Sequence, residues 1–397
     1  MSSSKSFFEE KRVWSRIKDE VLKTYLVPYL AKVSKTKRPI IIADCFAGKG
    51  RFDNGEPGSP LIIAEVIAHQ LSDSPTPEIK GVFIEKKYFD NLKANIPVYS
   101  WLHPLEGDYE ERMEFFVKKY EPRDQNLFLY VDPYGIKSVL FSHFEMIQKK
   151  GFHSVELLLN LNAFGFLREA CRLLKCPVPE TETPDAYEQD VNTPERLDEI
   201  AGGPYWREIV AAYFSGQIKM ADAEETFSAQ YCDRLRRVFR YVVNIPIKAK
   251  IGNIPKYRIV FGTDHEDGLL LMTNNMNKRW SQFREEARNH QSLLFECDFP
   301  DTTKLYDCWN VEEKIYSLID KDIELKELLI KLVQEYGISF STADYKQYLK
   351  GMENKRLEVK RMPATTPTGK PSTSWDHTKR DLSIRISRRA QWQQPLL

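Results

Sequence analysis

The sequence predicts an α/β fold: a Rossmann-like sheet of seven strands, mostly parallel and closed by an antiparallel hairpin, carrying a helical insertion and a C-terminal winged-helix domain. Three observations predict it. Apolar runs of strand length end one after another in an acid, at residues 40–44, 80–85 and 126–132. The first run leads into a turn punctuated by Gly48 and Gly50. Close to the C-terminus, two helical patterns are followed by strand patterns and a basic tail.

The elements are expected in this order. Residues 7–33 read as a helix, with Phe8, Val13, Ile17, Val21, Leu22 and Tyr25 near helical spacing, inside an N-terminal segment 1–38. Residues 39–165 supply the first five strands and their helices, among them a helix over 61–71 and a fifth strand over 154–160. Residues 166–226 change character: Pro177, Pro179, Pro184 and Pro194 interrupt polar, acidic sequence, which suggests a helical insertion or a lid over the substrate. The sheet resumes within 227–300 as a hairpin over 239–247 and 257–263, and a helix over 274–288 ends it. In the last segment, 312–390, residues 323–336 form an amphipathic helix stopped by Gly337, and Ser341 or Thr342 caps the next helix. Residues 357–359, a Pro/Gly/Thr-rich loop and the alternating 382–386 complete a winged-helix pattern.

In an open α/β sheet, ligands bind beyond the carboxyl ends of the strands, at the switch point of the strand order. Asp44, Glu85, Asp108 and Asp132 stand at four successive expected strand ends, so they should converge on one crevice. Carboxylates there accept hydrogen bonds from ribose hydroxyls and from amines. A dinucleotide fingerprint needs three glycines around a pyrophosphate, but only Gly48 and Gly50 are suitably spaced and position 53 is an aspartate. No Walker-type lysine loop occurs. An acidic rim suits S-adenosylmethionine (SAM), which has no phosphate and carries a sulfonium cation. The layout is that of a class I SAM methyltransferase, with Asp44, Phe46, Ala47, Gly48, Gly50, Glu85 and Asp108 as the cofactor side. An aspartate at a strand end also serves as an ordinary cap or turn residue, and Gly107-Asp108 in particular makes a common turn.

Asp132-Pro133-Tyr134-Gly135 holds the expected chemistry. Methyltransferases acting on exocyclic amines of bases carry an acid or amide, two prolines and an aromatic after the fourth strand. The acid accepts from the amine, the proline shapes the turn and the aromatic stacks on the base. This loop has one proline and its aromatic comes one position early, closer to the Asp-Pro-Phe-Gly loop of tRNA guanine-N2 dimethyltransferases. Arg51, Ser59, Asn160 and Phe164 are further candidates on the substrate side, although core packing explains Phe164 equally well.

The segments at 44–52, 55–60, 83–85, 131–135 and 257–263, running on to Gly268-Leu269, resemble the three-Cys-motif partner (TcmP) family of bacterial proteins. The resemblance covers roughly residues 10–285, with Cys45 standing where the family more often has a glycine or another small residue. It implies a methyltransferase-like domain that associates with a radical-SAM-like protein bearing a three-cysteine motif, and it supplies no substrate.

Charge is unevenly spread. Residues 351–397 hold ten Lys/Arg against four Asp/Glu, a local +6 in a chain of net charge +1. Lys355, Arg356, Lys360, Arg361, Lys370, Lys379 and Arg380 are the expected phosphate contacts, with Trp375 as a stacking side chain, if the winged helix holds DNA or RNA. Winged helices also serve as protein-docking modules. The function expected is therefore SAM-dependent methylation of an exocyclic base amine. The alternative is a non-catalytic SAM- or nucleotide-binding partner that docks a three-Cys-motif protein.

At 397 residues, 42% of them hydrophobic, the chain is long enough for two domains with a substantial core. Met1 to Lys5 lack the apolar core of a signal peptide, and no apolar run reaches membrane-spanning length, so a cytoplasmic protein is expected. Of six cysteines only Cys171 and Cys176 are close, with no histidine at ligand spacing, so buried thiols are expected rather than a zinc site.

Overall fold

The computed structural model describes residues 13–74, 77–119, 121, 124–136, 139–177, 193–248, 254–291, 310–379 and 381–389. The chain divides into two compact units, Met1–Gly268 and Leu269–Leu397.

In the first unit, helix α1 (Val13–Val33) precedes strand β1 (Ile40–Asp44), α2 (Ser59–Asp73), β2 (Ile79–Glu85), α3 (Phe89–Asn95), β3 (Leu102–Glu106), α4 (Tyr109–Lys119), β4 (Asn126–Val131), α5 (Phe141–Gln148) and β5 (Ser154–Leu161). Among the described residues, four helices follow: α6 (Ala163–Leu173), α7 (Pro194–Ala201), α8 (Trp206–Phe214) and α9 (Met220–Leu235). The hairpin β6 (Tyr241–Ile247) and β7 (Tyr257–Thr263) completes the sheet, and α10 (Glu266–Gln291) leads into the second unit.

The seven strands lie in the order β3-β2-β1-β4-β5-β7-β6. The first five are mutually parallel, and β7 runs antiparallel to both β5 and β6. This is a Rossmann-like sheet, mostly parallel and closed by an antiparallel hairpin. The chain reverses its winding between β1 and β4, so Asp44 and the residues after Val131 flank the switch point. Every residue of β1 and β4 is buried, as expected of parallel strands covered on both faces.

Strand alternation sorts the side chains. Ile41, Ala43, Leu127, Leu129, Val131, Val155, Leu157 and Leu159 join one core cluster with α5 to α9. The other parity faces α1, where Tyr25 packs its ring on Phe128 and Phe261. Tyr25 also donates to the buried Glu156, whose second oxygen accepts from Thr263. Burial lifts the Glu156 carboxyl to about 7, and these two hydrogen bonds oppose that rise.

Leu197, Ile200, Trp206, Ile209, Phe227 and Tyr231 of α7 to α9 are buried in the main core, so these helices form a layer on the sheet face. Residues 178–192, which include Pro179 and Pro184, lie outside the described residues.

The second unit contains α11 (Val311–Leu318), β8 (Ile323–Glu324), α12 (Leu325–Tyr336), α13 (Thr342–Met352), β9 (Leu357–Met362) and β10 (Ser383–Arg388). The apolar stripe of α12 is buried through Leu325, Leu328, Leu329, Leu332 and Val333, and the helix ends at Gly337, whose φ is 57°. Ser341 caps α13 in a capping box with Asp344. The expected helix start at Ile323 is displaced, because Ile323 and Glu324 instead pair with β10 to make an antiparallel sheet of order β8-β10-β9.

Candidate functional site

The side expected to hold the cofactor is built by backbone amides. Glu85 ends β2 and accepts from three N–H groups: Gly48 at 2.8 Å, Lys87 at 2.7 Å and Tyr88 at 2.9 Å. It thereby ties the glycine turn to the start of α3. A carboxylate offers about four lone-pair positions, so one remains for a ligand hydroxyl. Gly48 and Gly50 adopt φ of 61° and 78°, a region that favours glycine. At Gly50 a Cβ would also press on Leu92 Cδ1 at 3.3 Å. Asp108 sits beyond β3, accepts from Glu110 N–H at 2.9 Å and pairs loosely with Lys86 at 3.6 Å.

Asp44 is the buried member. It is fully enclosed at the end of β1; Oδ1 accepts from Phe46 N–H at 3.2 Å, and Oδ2 has no hydrogen-bond partner. Burial pushes its carboxyl up to about 7, opposed by the Ser59 hydroxyl and the Phe46 N–H and reinforced by the negative charges of Asp132 and Asp19. Phe46 is stacked on Tyr109 at 4.9 Å, and buried Ala47 ties its N–H to Ile84 O. An orphaned buried carboxylate oxygen beside a glycine turn fits the cationic end of SAM, and the free position on Glu85 fits a ribose hydroxyl.

The side expected to hold the substrate is built by side chains from distant sequence. Asp132 follows β4 on the α1 face, and Lys18 of α1 reaches both its oxygens, at 2.8 and 2.6 Å. Asn160 Nδ2 donates to Oδ1 at 2.7 Å, and Tyr130 OH donates to Oδ2 at 3.3 Å. The Lys18 ammonium also lies 5.2 Å from the Tyr257 ring centre. Because β7 is antiparallel, its first residue, Tyr257, stands at the same sheet edge as the carboxyl end of β5.

The other expected residues separate. Pro133 is half-buried and Tyr134 is 59% exposed. Ser59 opens α2 beside Asp44. Arg51 is exposed and donates to Gly55 O in its own loop, so nothing directs it to Asp132. Phe164 is half-buried against the main core. Lys18, Tyr130 and Tyr257 had no place in the expected site. One signal marked Lys18: it lies three and four residues before Val21 and Leu22, both fully buried, so it is a cation on an apolar stripe.

In the second unit, three expected nucleic-acid contacts are committed internally. Arg356 is buried, pairs with both oxygens of Glu313 and lies over Tyr316. The Arg361 side chain is 8% exposed, pairs with Glu353 and lies over Trp375. Trp375 is itself buried, so its ring is not presented for stacking on a base. Lys355, Lys360, Lys370 and Lys379 are exposed, with Lys360 near Glu358. Arg380 lies outside the described residues.

Among the described residues, no helix is long and apolar enough to cross a membrane, and no cluster of three or more His, Cys, Asp or Glu could hold a metal ion. Cys45, Cys171 and Cys232 are buried thiols.

No protein-family model matches the chain, and no curated protein does. Solved structures to which the chain is similar include MNMC2 from Aquifex aeolicus, at 15% identity and a TM-score of 0.25, covering 44% of this chain and 71% of that one. Another is Trm1 from Pyrococcus horikoshii in complex with S-adenosyl-L-methionine, at 11% identity and a TM-score of 0.25, covering 64% of this chain and 57% of that one. Loganic acid methyltransferase with SAH aligns at 12% identity and a TM-score of 0.26, over 67% of this chain and 98% of that one.

Proposed function

We propose that this chain is a SAM-dependent methyltransferase acting on an exocyclic amine of a nucleic-acid base. The observation that carries this reading is the pairing across the switch point. Asp44, with an unpartnered oxygen, and Asp132, on a neutral scaffold, stand at the ends of adjacent parallel strands. Bound SAM would supply an electrophilic methyl group. Asp44 and Glu85 hold the donor side, and the turn of Gly48 and Gly50 lets backbone approach it. Asp132, Pro133 and Tyr134 shape the amine side, and the exposed Tyr134 ring provides a surface for a planar base.

We read the second unit as a winged helix that holds DNA or RNA through Lys355, Lys360, Lys370 and Lys379. Its order of helix, strand, two helices and two strands supports this, as does the surface position of these lysines. The segment resemblances support membership of the three-Cys-motif partner family, with a cytoplasmic location.

One observation favours a second reading, a non-catalytic SAM- or nucleotide-binding partner of a three-Cys-motif protein: Lys18 already occupies both oxygens of Asp132. Calorimetry with SAM, followed by labelled-methyl transfer to tRNA, total RNA and DNA, tests both. Binding with transfer supports the enzyme, binding without transfer supports the partner, and no heat at millimolar SAM rejects the methyl-donor site.

A further inference from the structure

We infer that Asn160, rather than Asp132, is the group that accepts the target amine, with Asp132 and Lys18 as positioning residues behind it. The inference rests on the amine-methyltransferase reading above and names the acceptor within that site. Asp132 Oδ1 receives Lys18 Nζ and Asn160 Nδ2, while Oδ2 receives Lys18 Nζ and Tyr130 OH. A carboxylate offers about four lone-pair positions, so these four contacts fill it. An incoming amine would have to displace an ion pair whose lysine side chain is only 10% exposed.

Asn160 stands differently. It is 3% exposed at the carboxyl end of β5, and its Nδ2 is given to Asp132 at 2.7 Å. A carboxylate only accepts, so the amide must turn its nitrogen to Asp132 and its oxygen away. That oxygen is buried and has no hydrogen-bond partner. A buried acceptor left unpaired is costly, which makes it a place prepared for a donor. The neighbouring Lys18 ammonium disfavours a cationic ligand and favours a neutral N–H. Tyr257 beside Lys18 provides a ring at the same edge for a planar base. Lys18 and Asp132 then fix the amide rather than touch the base.

The test is calorimetric titration of the full chain with mononucleotide pairs that differ in the amine: AMP against IMP, CMP against UMP and GMP against IMP. The expected result is that one amine-bearing member binds about tenfold tighter than its partner, and that Asn160→Ala brings the pair within about twofold. Lys18→Met provides the second variant. If Asn160 is the acceptor, amine affinity falls about threefold, because the amide loses the ion pair that fixes it; if Asp132 is, the two freed positions raise it about tenfold. Absence of any amine preference in the wild type, its survival in Asn160→Ala, or a rise in Lys18→Met overturns the inference. A separate SAM titration keeps the two ideas apart. Amine preference without SAM binding sinks the methyl-donor reading alone, and SAM binding without amine preference sinks the Asn160 assignment alone.

Discussion

The two halves of the sheet edge are held in opposite ways. On the β3-β2-β1 side, each acid is fixed by N–H groups within its own or an adjoining loop: Glu85 by Gly48, Lys87 and Tyr88, Asp108 by Glu110, and Asp44 by Phe46. On the β4-β5-β7 side, Asp132 is held by side chains, above all by Lys18, which is 114 positions away. The first half is preorganised by local backbone and keeps unsatisfied acidic capacity for a cation. The second half is neutralised by long-range pairing and offers a neutral amide oxygen. A methyl donor carries positive charge and a base amine does not, so the difference matches the two ligands proposed.

Replacing Asp132 should separate the halves most sharply. Asp132→Ala is expected to reduce methyl transfer about 10²–10³-fold while SAM affinity survives. It should also lower stability by about 3 kcal/mol, because Lys18 loses its partner in a poorly solvated place. Radiolabel transfer, SAM calorimetry and denaturant melts read the three quantities. Full transfer by the variant would remove the whole Asp132 cluster from the reaction.

Next in size is Asp44→Asn, expected to weaken SAM about tenfold above neutral pH with transfer rate at saturation little changed. The pH dependence carries a sign of its own. The folded carboxyl titrates at about 7 and the unfolded one near its ordinary value of 3.8, so between these the fold binds the extra proton. Stability from this group is therefore lost as pH rises through that window. Cation binding needs the anion, so wild-type SAM affinity should fall below about pH 7 and level off about tenfold down, and Asp44→Asn should flatten the profile. A flat wild-type profile counts against Asp44 as the cation-facing acid.

Gly50→Ala tests the backbone half by shape alone. A side chain at φ 78° is strained and would press on Leu92, so about 1–2 kcal/mol of destabilisation is expected, with weaker SAM binding and no change in amine preference. The smallest effects belong to the second unit. Reversing Lys360, Lys370 or Lys379 singly should lower the salt slope of nucleic-acid binding by about one each. An unchanged slope in all three would leave this unit as a protein-docking module.

Much of this protein could be read along the chain. The strand ends at Asp44 and Glu85, the glycine turn, the α12 stripe and the Ser341 cap all depend on residues within a few positions of one another, where periodicity and turn chemistry act. Reading failed where burial decided the role. Arg356, Arg361 and Trp375 look like a nucleic-acid surface in sequence, yet each is folded onto a neighbour that composition does not reveal. The helices after β5 read as a helical insertion or a lid, and the packing of Trp206 and Phe227 into the core is not visible in the sequence. Sequence alone determined the alternating layers, the order of acids and the glycine turn, since these follow from hydrophobic period and backbone geometry. Only tertiary structure decided that a helix beginning near residue 13 delivers a lysine to the fourth strand, filling one carboxylate and leaving one amide oxygen bare. Hydrogen-bond saturation is a property of neighbours in space, and no local pattern encodes it.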